Sequence, residues 1–148
     1  MGVFFLVGPG TLVPIRGTLN AKTYCTILDD HVLPMLWQFY SVDPCCFQDD
    51  NATSHVARST MAWYDDNGVQ RFDWPAQSSD LNLIEHLWDE LERRLKGCPS
   101  RPKSVCELTC LLQAEWKKIS IAVIQRLVES MPRRVAAVIA ARGASTNY

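Results

Sequence analysis

A chain of 148 residues with 47% apolar residues can bury the core of one ordinary domain, and no apolar run approaches the ~18 residues that span a bilayer. The formal charge of −1 hides a split: residues 1–90 carry four bases against twelve acids, and residues 91–148 carry eleven bases against four acids. That asymmetry excludes a uniformly charged surface and gives the C-terminal part the charge of a polyanion-binding segment, against the plainer reading of solvated helix faces.

The apolar start, residues 1–7, lacks a basic leader and a small-residue cleavage site, which reads against a secretory signal and for an intracellular protein, nuclear or cytoplasmic. Six cysteines without a CxxC pair fit free thiols. Cys106 and Cys110 are spaced to share a helix face, but zinc would need two further ligands that the spacing does not offer.

In chain order, residues 1–7 and 11–15 read as a β-hairpin about Gly8-Pro9-Gly10, with Pro14 marking the second run as an edge strand. Asn20 can cap a helix over residues 20–39, with Tyr24, Ile27, Leu28, Val32 and Leu36 at helical spacing and Pro34 expected to kink or shorten its end. Residues 45–48 read as a short buried strand ending in acids. Thr53 or Ser54 then caps a second helix, with Val56, Ala57, Met61 and Trp63 as core contacts and Asn67-Gly68 as its turn. A brief strand follows at 69–72. Next comes a helix from Asn82 to Lys96, with Ile84, Leu87, Trp88, Leu91 and Leu95 on one stripe and Gly97 as the stop. Three more helical patterns cover residues 104–118, 120–131 and 132–141, the last entered at Pro132, and the tail 143–148 reads as frayed.

Two carboxylates carry the chemistry. Asp50 ends the 45–48 strand, Glu85 opens the helix after Asn82, and 34 residues separate them. An intervening helix, strand and turn would let the two converge, and oxygen ligands of this kind suit a divalent metal used in phosphoryl transfer. Each has a plainer reading: Asp50 as a turn cap beside Asn51, and Glu85 as the N3 residue of an Asn-x-x-Glu capping box.

The motifs around them are Phe47-Gln48-Asp49-Asp50-Asn51-Ala52-Thr53-Ser54-His55 and Trp74-Pro75-Ala76-Gln77-Ser78-Ser79-Asp80-Leu81-Asn82-Leu83-Ile84-Glu85-His86-Leu87-Trp88. Together, and with the 34-residue spacing, they resemble the catalytic core of the Tc/mariner transposases, a branch of the Asp-Asp-Asp/Glu nucleotidyl transferases. The resemblance extends to Gly17-Thr18-Leu19-Asn20-Ala21 with Tyr24, and to Ser130-Met131-Pro132-Arg133-Arg134, so it covers essentially the whole chain. It implies an α/β fold, an RNase H-like mixed sheet lacking its first strand, with a partial catalytic core over residues 1–97 and a basic helical segment of the same domain over 98–148.

The resemblance further implies that Asp50 and Glu85 are catalytic and hold Mg²⁺ or Mn²⁺ for DNA strand cleavage and transfer. Asn51, His55 and Asn82 would support the site. Of two adjacent aspartates on a strand only one faces a given side, and the motif selects Asp50 over Asp49. DNA is the implied partner, contacted by Arg93, Arg94, Lys96, Arg101, Lys103, Lys117, Lys118, Arg133 and Arg134; a homodimer is implied as in the family, with no membrane and no small-molecule substrate. The family's first catalytic aspartate has no counterpart, since no acid precedes Asp29, and Thr53, Ser79 and Leu83 stand where the family has proline. The expectation is a transposase fragment inactive by itself. The alternative is a non-catalytic nucleic-acid-binding remnant or a recruited transposon-derived protein.

Overall fold

The structure is a computed structural model that describes residues 1–5, 7–41, 46–73, 75, 78–98 and 100–146. The chain forms two compact units, one of Met1 with Val13–Ser78 and the other of Gly2–Leu12 with Ser79–Tyr148.

In the first unit, Asn20 caps helix α1 (Ala21–Ile27), its Oδ1 accepting from the Thr23 N–H at 2.9 Å. The helix does not end at Pro34. It widens into a π-helical turn over Leu28–Val32 and resumes as α2 (Leu33–Tyr40). Pro34 thereby falls in the first turn of α2, where its missing N–H costs least, and the wider turn upstream makes room for its ring. The predicted stripe is the buried one, with Tyr24, Ile27, Leu28, Val32 and Leu36 all inside.

Helix α3 (Arg58–Asp66) starts later than Thr53 or Ser54 would set it, with Ala57 at the N-cap and no side-chain cap. The buried Thr60 fixes this register, donating through Oγ1 to the Ser54 carbonyl at 2.7 Å. Thr60, Trp63 and Tyr64 therefore face inward, while Val56 and Met61, expected in the core, are exposed. Trp63 Nε1 donates to Asp29 Oδ1 at 2.7 Å, tying α3 to the π-helical turn. Gly68 follows with φ of +63°, the left-handed turn that Asn-Gly announces.

Strands β3 (Cys46–Phe47) and β4 (Gln70–Arg71) pair in parallel. Cys46 is exposed and Phe47 half-buried, so this strand is not the buried one expected, and Cys45 lies outside the described residues. Among the described residues this sheet has two strands, and the Phe47 ring lies tilted against Tyr64 with centroids 6.0 Å apart.

In the second unit, β1 (Gly2–Phe5) and β2 (Gly8–Leu12) form the antiparallel hairpin, but Gly8-Pro9-Gly10 lies inside β2, whose Gly8 already pairs with Phe5. Pairing of Gly2 with Leu12 and Phe4 with Pro9 leaves β2 one residue longer, a β-bulge. Gly10 is required by crowding: a Cβ there would meet the Phe5 ring and the Val3 carbonyl oxygen, both at 2.7 Å. Pro9 is tolerated because β2 pairs with β1 alone among the described residues, and Pro14 lies beyond the strand.

Helix α4 (Leu83–Lys96) follows Asn82 and stops at Gly97, as read from the sequence. It packs against α5 (Val105–Lys117) and α6 (Ile121–Ala140). Leu87, Leu91, Trp116, Ile119 and Ile124 make the core, and Phe4 and Leu12 of the hairpin pack against it. Trp116 stacks on Trp88 at 5.3 Å and donates through Nε1 to the Gly10 carbonyl at 2.9 Å, which anchors the bulge.

One helix, α6, replaces the two expected around Pro132. A proline in mid-helix loses one backbone bond and crowds the preceding turn, yet side chains span it here. The buried Arg134 donates through Nε to Ser130 Oγ at 2.7 Å, and Ser130 in turn donates to the Leu127 carbonyl at 2.5 Å. Arg134 NH1 also donates to the Asp80 carbonyl at 2.9 Å and to His86 Nε2 at 2.6 Å. The tail is held too, with Thr146 N–H and Oγ1 both donating to Asp80 Oδ2 at 2.7 Å. Among the described residues no helix is long and apolar enough to cross a membrane.

Leu87→Ala, which empties a fully buried position, is expected to cost about 2–5 kcal/mol in a denaturant or thermal melt. Burial, then the adjacent Arg134 charge, depress the His86 imidazole below its ordinary value of 6.5, with Asp89 and Glu85 opposing. Between that value and the lower folded one, the unfolded chain binds more protons. Stability is therefore full above about pH 6.5 and falls as pH drops through this window. His86→Gln, which keeps an acceptor for Arg134, should flatten that part of a melting-temperature profile.

Candidate functional site

Past β3 the chain enters Asp49 and Asp50, and the two acids have opposite fates. The Asp49 side chain is 4% exposed. Arg71 meets its Oδ1 through Nε at 2.8 Å and NH2 at 2.7 Å, while the Tyr64 and Tyr24 hydroxyls donate to Oδ2 at 2.8 and 3.5 Å. Burial, first among the causes, pushes both tyrosine hydroxyls far above the ordinary range, so they stay protonated donors. Asp49 is thus neutralised inside the first unit.

The Asp50 side chain is 57% exposed. Its Oδ1 accepts from the Ala52 N–H at 3.1 Å and lies 2.6 Å from His55 Nδ1, which also meets the Asp50 carbonyl at 3.1 Å. The first bond is the turn contact of the plainer reading, and it occupies one oxygen only. His55 stacks on Tyr24 with ring centroids 4.1 Å apart, which fixes the imidazole against Asp50. Asn51 accepts from Arg71 NH2 at 2.7 Å.

Glu85 lies exposed in the first turn of α4. The reciprocal capping box expected with Asn82 does not form, because the Asn82 side chain accepts no helix N–H. Asn82 Nδ2 instead donates to Glu85 Oε1 at 3.4 Å, orienting the carboxylate. Leu83, standing where the family has proline, is buried, so apolar packing holds this helix start.

The basic residues divide by burial. Arg93, Lys96, Arg101, Lys103, Lys117, Lys118 and Arg133 are exposed. Several meet acids of their own helices or neighbours: Arg93 and Arg94 meet Glu90, Lys96 meets Glu92 at 2.8 Å, and Lys118 meets Glu115 at 2.6 Å. Arg93 and Arg94 hold the Glu90 carboxyl below the usual carboxylate range. Arg134 departs from the surface set expected from sequence: at 4% exposure its guanidinium is committed to Ser130, Asp80 and His86.

Asp50 and Glu85 belong to different compact units, and each presents an exposed carboxylate with one oxygen engaged. Such oxygens are the hard donors that Mg²⁺ and Mn²⁺ take, so the residues fit the metal type. Among the described residues no group of three or more His, Cys, Asp or Glu side chains is arranged to hold a metal ion. The described cysteines are free thiols, and Cys106 and Cys110 are both exposed on α5.

Sequence reading missed Arg71, Tyr64 and the second role of Tyr24. One signal was available: Arg71 is the only base between Arg58 and Arg93, and an acid buried beside Asp50 needs a partner.

The family model of the DDE superfamily endonucleases matches residues 8–109, a span that holds both carboxylates. The Tcb1 transposase of Caenorhabditis briggsae is 40% identical over 148 residues, covering 99% of this chain and 53% of that protein. For the Tc1 transposase of Caenorhabditis elegans the identity is 38%, with the same coverage of 99% and 53%. The chain spans about half the length of these relatives. The catalytic domain of Mos1 transposase, solved with Mg, matches with a TM-score of 0.86 at 21% identity, covering 99% of this chain and 75% of that one. The fold is therefore the α/β, RNase H-like one of that catalytic domain, and the chain belongs to the DDE superfamily of endonucleases, among the Tc/mariner-type transposases.

Proposed function

We propose that the chain serves the metal-dependent DNA cleavage and strand transfer of a cut-and-paste transposase, with Asp50 and Glu85 as its carboxylate ligands for Mg²⁺ or Mn²⁺. The observation that carries this reading is the division of labour between adjacent aspartates. Asp49 is consumed by Arg71 and two tyrosines, while Asp50 keeps an exposed side chain within the span matched by the family. Mos1 transposase has been solved with Mg, in a paired-end complex with Mn, in a paired-end complex with the left transposon end, and in a strand transfer complex. These support the choice of ion and of DNA as partner.

When bound, a divalent ion supplies Lewis-acid activation of an attacking hydroxyl and charge neutralisation at the leaving oxygen. The chain's own residues hold the ligands in place. His55 and the Ala52 N–H hold the exposed Asp50 side chain through Oδ1, and Asn82 steadies Glu85 through Oε1. The exposed Arg93, Lys96, Arg101, Lys103, Lys117 and Arg133 would meet phosphates. Two carboxylates are fewer than the family's acidic triad, so these 148 residues assayed alone are expected to bind metal weakly and leave DNA uncut.

Mn²⁺ titration followed by electron paramagnetic resonance checks the ligands: Asp50→Ala and Glu85→Ala should each weaken binding by at least about tenfold, and unchanged affinity in either would remove that residue from the site. Duplex DNA retardation checks the basic surface. Binding should weaken steeply with salt, and Arg101→Ala/Lys103→Ala should lower the log–log salt slope by about 2. Asp50→Ala should leave that binding intact.

A further inference from the structure

The β3–β4 ladder ends where the Phe72 N–H donates to the Phe47 carbonyl at 2.8 Å. Beyond it the chain is held by side chains. Arg71, the last residue of β4, reaches past the end of the ladder and takes Asp49 Oδ1 with both Nε and NH2, at 2.8 and 2.7 Å. The same NH2 donates to Asn51 Oδ1 at 2.7 Å. One guanidinium therefore grips the residues on either side of Asp50.

A buried ion pair gains little net stability over apolar packing of the same volume. What apolar packing cannot do is hold two polar side chains in register on both flanks of an exposed acid. Arginine's rigid planar fork can, and a lysine point charge cannot. We propose that Arg71 is a positioning residue for Asp50, fixing the backbone on both sides of it so that its exposed carboxylate is held in place. The proposal rests on the reading of Asp50 as a metal ligand, and it extends that site by a residue on a different strand.

The discriminating variant is Asp49→Asn/Arg71→Leu in the whole chain. It removes both charges together, so no buried charge is left unpaired, and the asparagine keeps an acceptor for Tyr64. The melting temperature should stay within about 5 °C of the parent. Backbone order parameters at residues 50–52, from NMR relaxation, should fall from ~0.85 toward ~0.6, and Mn²⁺ affinity should drop by about tenfold. Arg71→Lys, which keeps the charge on Asp49 and loses the fork, serves if the double variant does not fold, and should loosen the same residues. Unchanged order parameters in a folded variant would overturn the proposal. If the parent shows no Asp50-dependent Mn²⁺ binding, the metal reading fails, while the order parameters still decide whether Arg71 holds Asp50.

Discussion

A carboxylate taken out of water must find its countercharge and donors within reach, and Asp49 imposes that demand on the whole first unit. Meeting it recruits Tyr24 from α1, Tyr64 from α3 and Arg71 from β4. Each of these elements is thereby drawn to one point at the end of β3. Around them the first unit is packed dry, with Leu28, Val32 and Thr60 almost completely buried. Short strands of two residues each would be a weak scaffold on their own. The charged knot and the aromatic packing around it give the strand tip its definition, and Asp50 inherits it.

The second unit solves a related problem with a different chemistry. Its Glu85 stands at the start of a helix, and that start is secured by burial of Leu83 and Leu87 and by Arg134, which spans the Asp80 carbonyl and His86. Thr146 closes on Asp80 from the tail, and its two bonds hold the Asp80 carboxyl below the usual range. The side chains that shape the path from Asp80 to His86 thus come from α6 and the residues after it. This explains why α6 tolerates Pro132: the contacts on both sides of the proline are needed elsewhere, and the packing they bring outweighs one lost backbone bond.

Amphipathic stripes, caps and the two acidic motifs were legible in the sequence because each is written locally. The helix after Asn82, the Asn20 cap and the Asn67-Gly68 turn all follow from short-range chemistry. Two differences share one cause: Pro132 and Gly8-Pro9-Gly10 read as punctuation, and each lies inside a continuous element, as does Pro34, expected to disturb its helix. For Pro34 a π-helical turn absorbs the ring, for Pro132 the Ser130–Arg134 bridge spans it, and for Gly10 the crowding of Phe5 and Val3 demands a glycine in mid-strand. Local propensity gives way when tertiary contacts are in place on both sides. The family motifs named the acids and carried Arg134 only as an implied DNA contact, and they were silent on Arg71, whose partner Asn51 is 20 residues away.

That silence has a physical basis. A metal-ligating carboxylate is specified by its own chemistry, so a motif can carry it. Its orientation is specified by whatever fixes the backbone on either side, and many solutions exist. Here one solution is an arginine that satisfies a buried acid and an asparagine at once, at the cost of a buried charge pair; the other is an arginine that satisfies a carbonyl, a serine and an imidazole. Both use the guanidinium because five donors in one plane can reach several acceptors that no single shorter side chain spans. An acid pair inherited from a family therefore keeps its spacing in the sequence, while the supports that aim each acid can be rebuilt from residues that only the folded chain brings near.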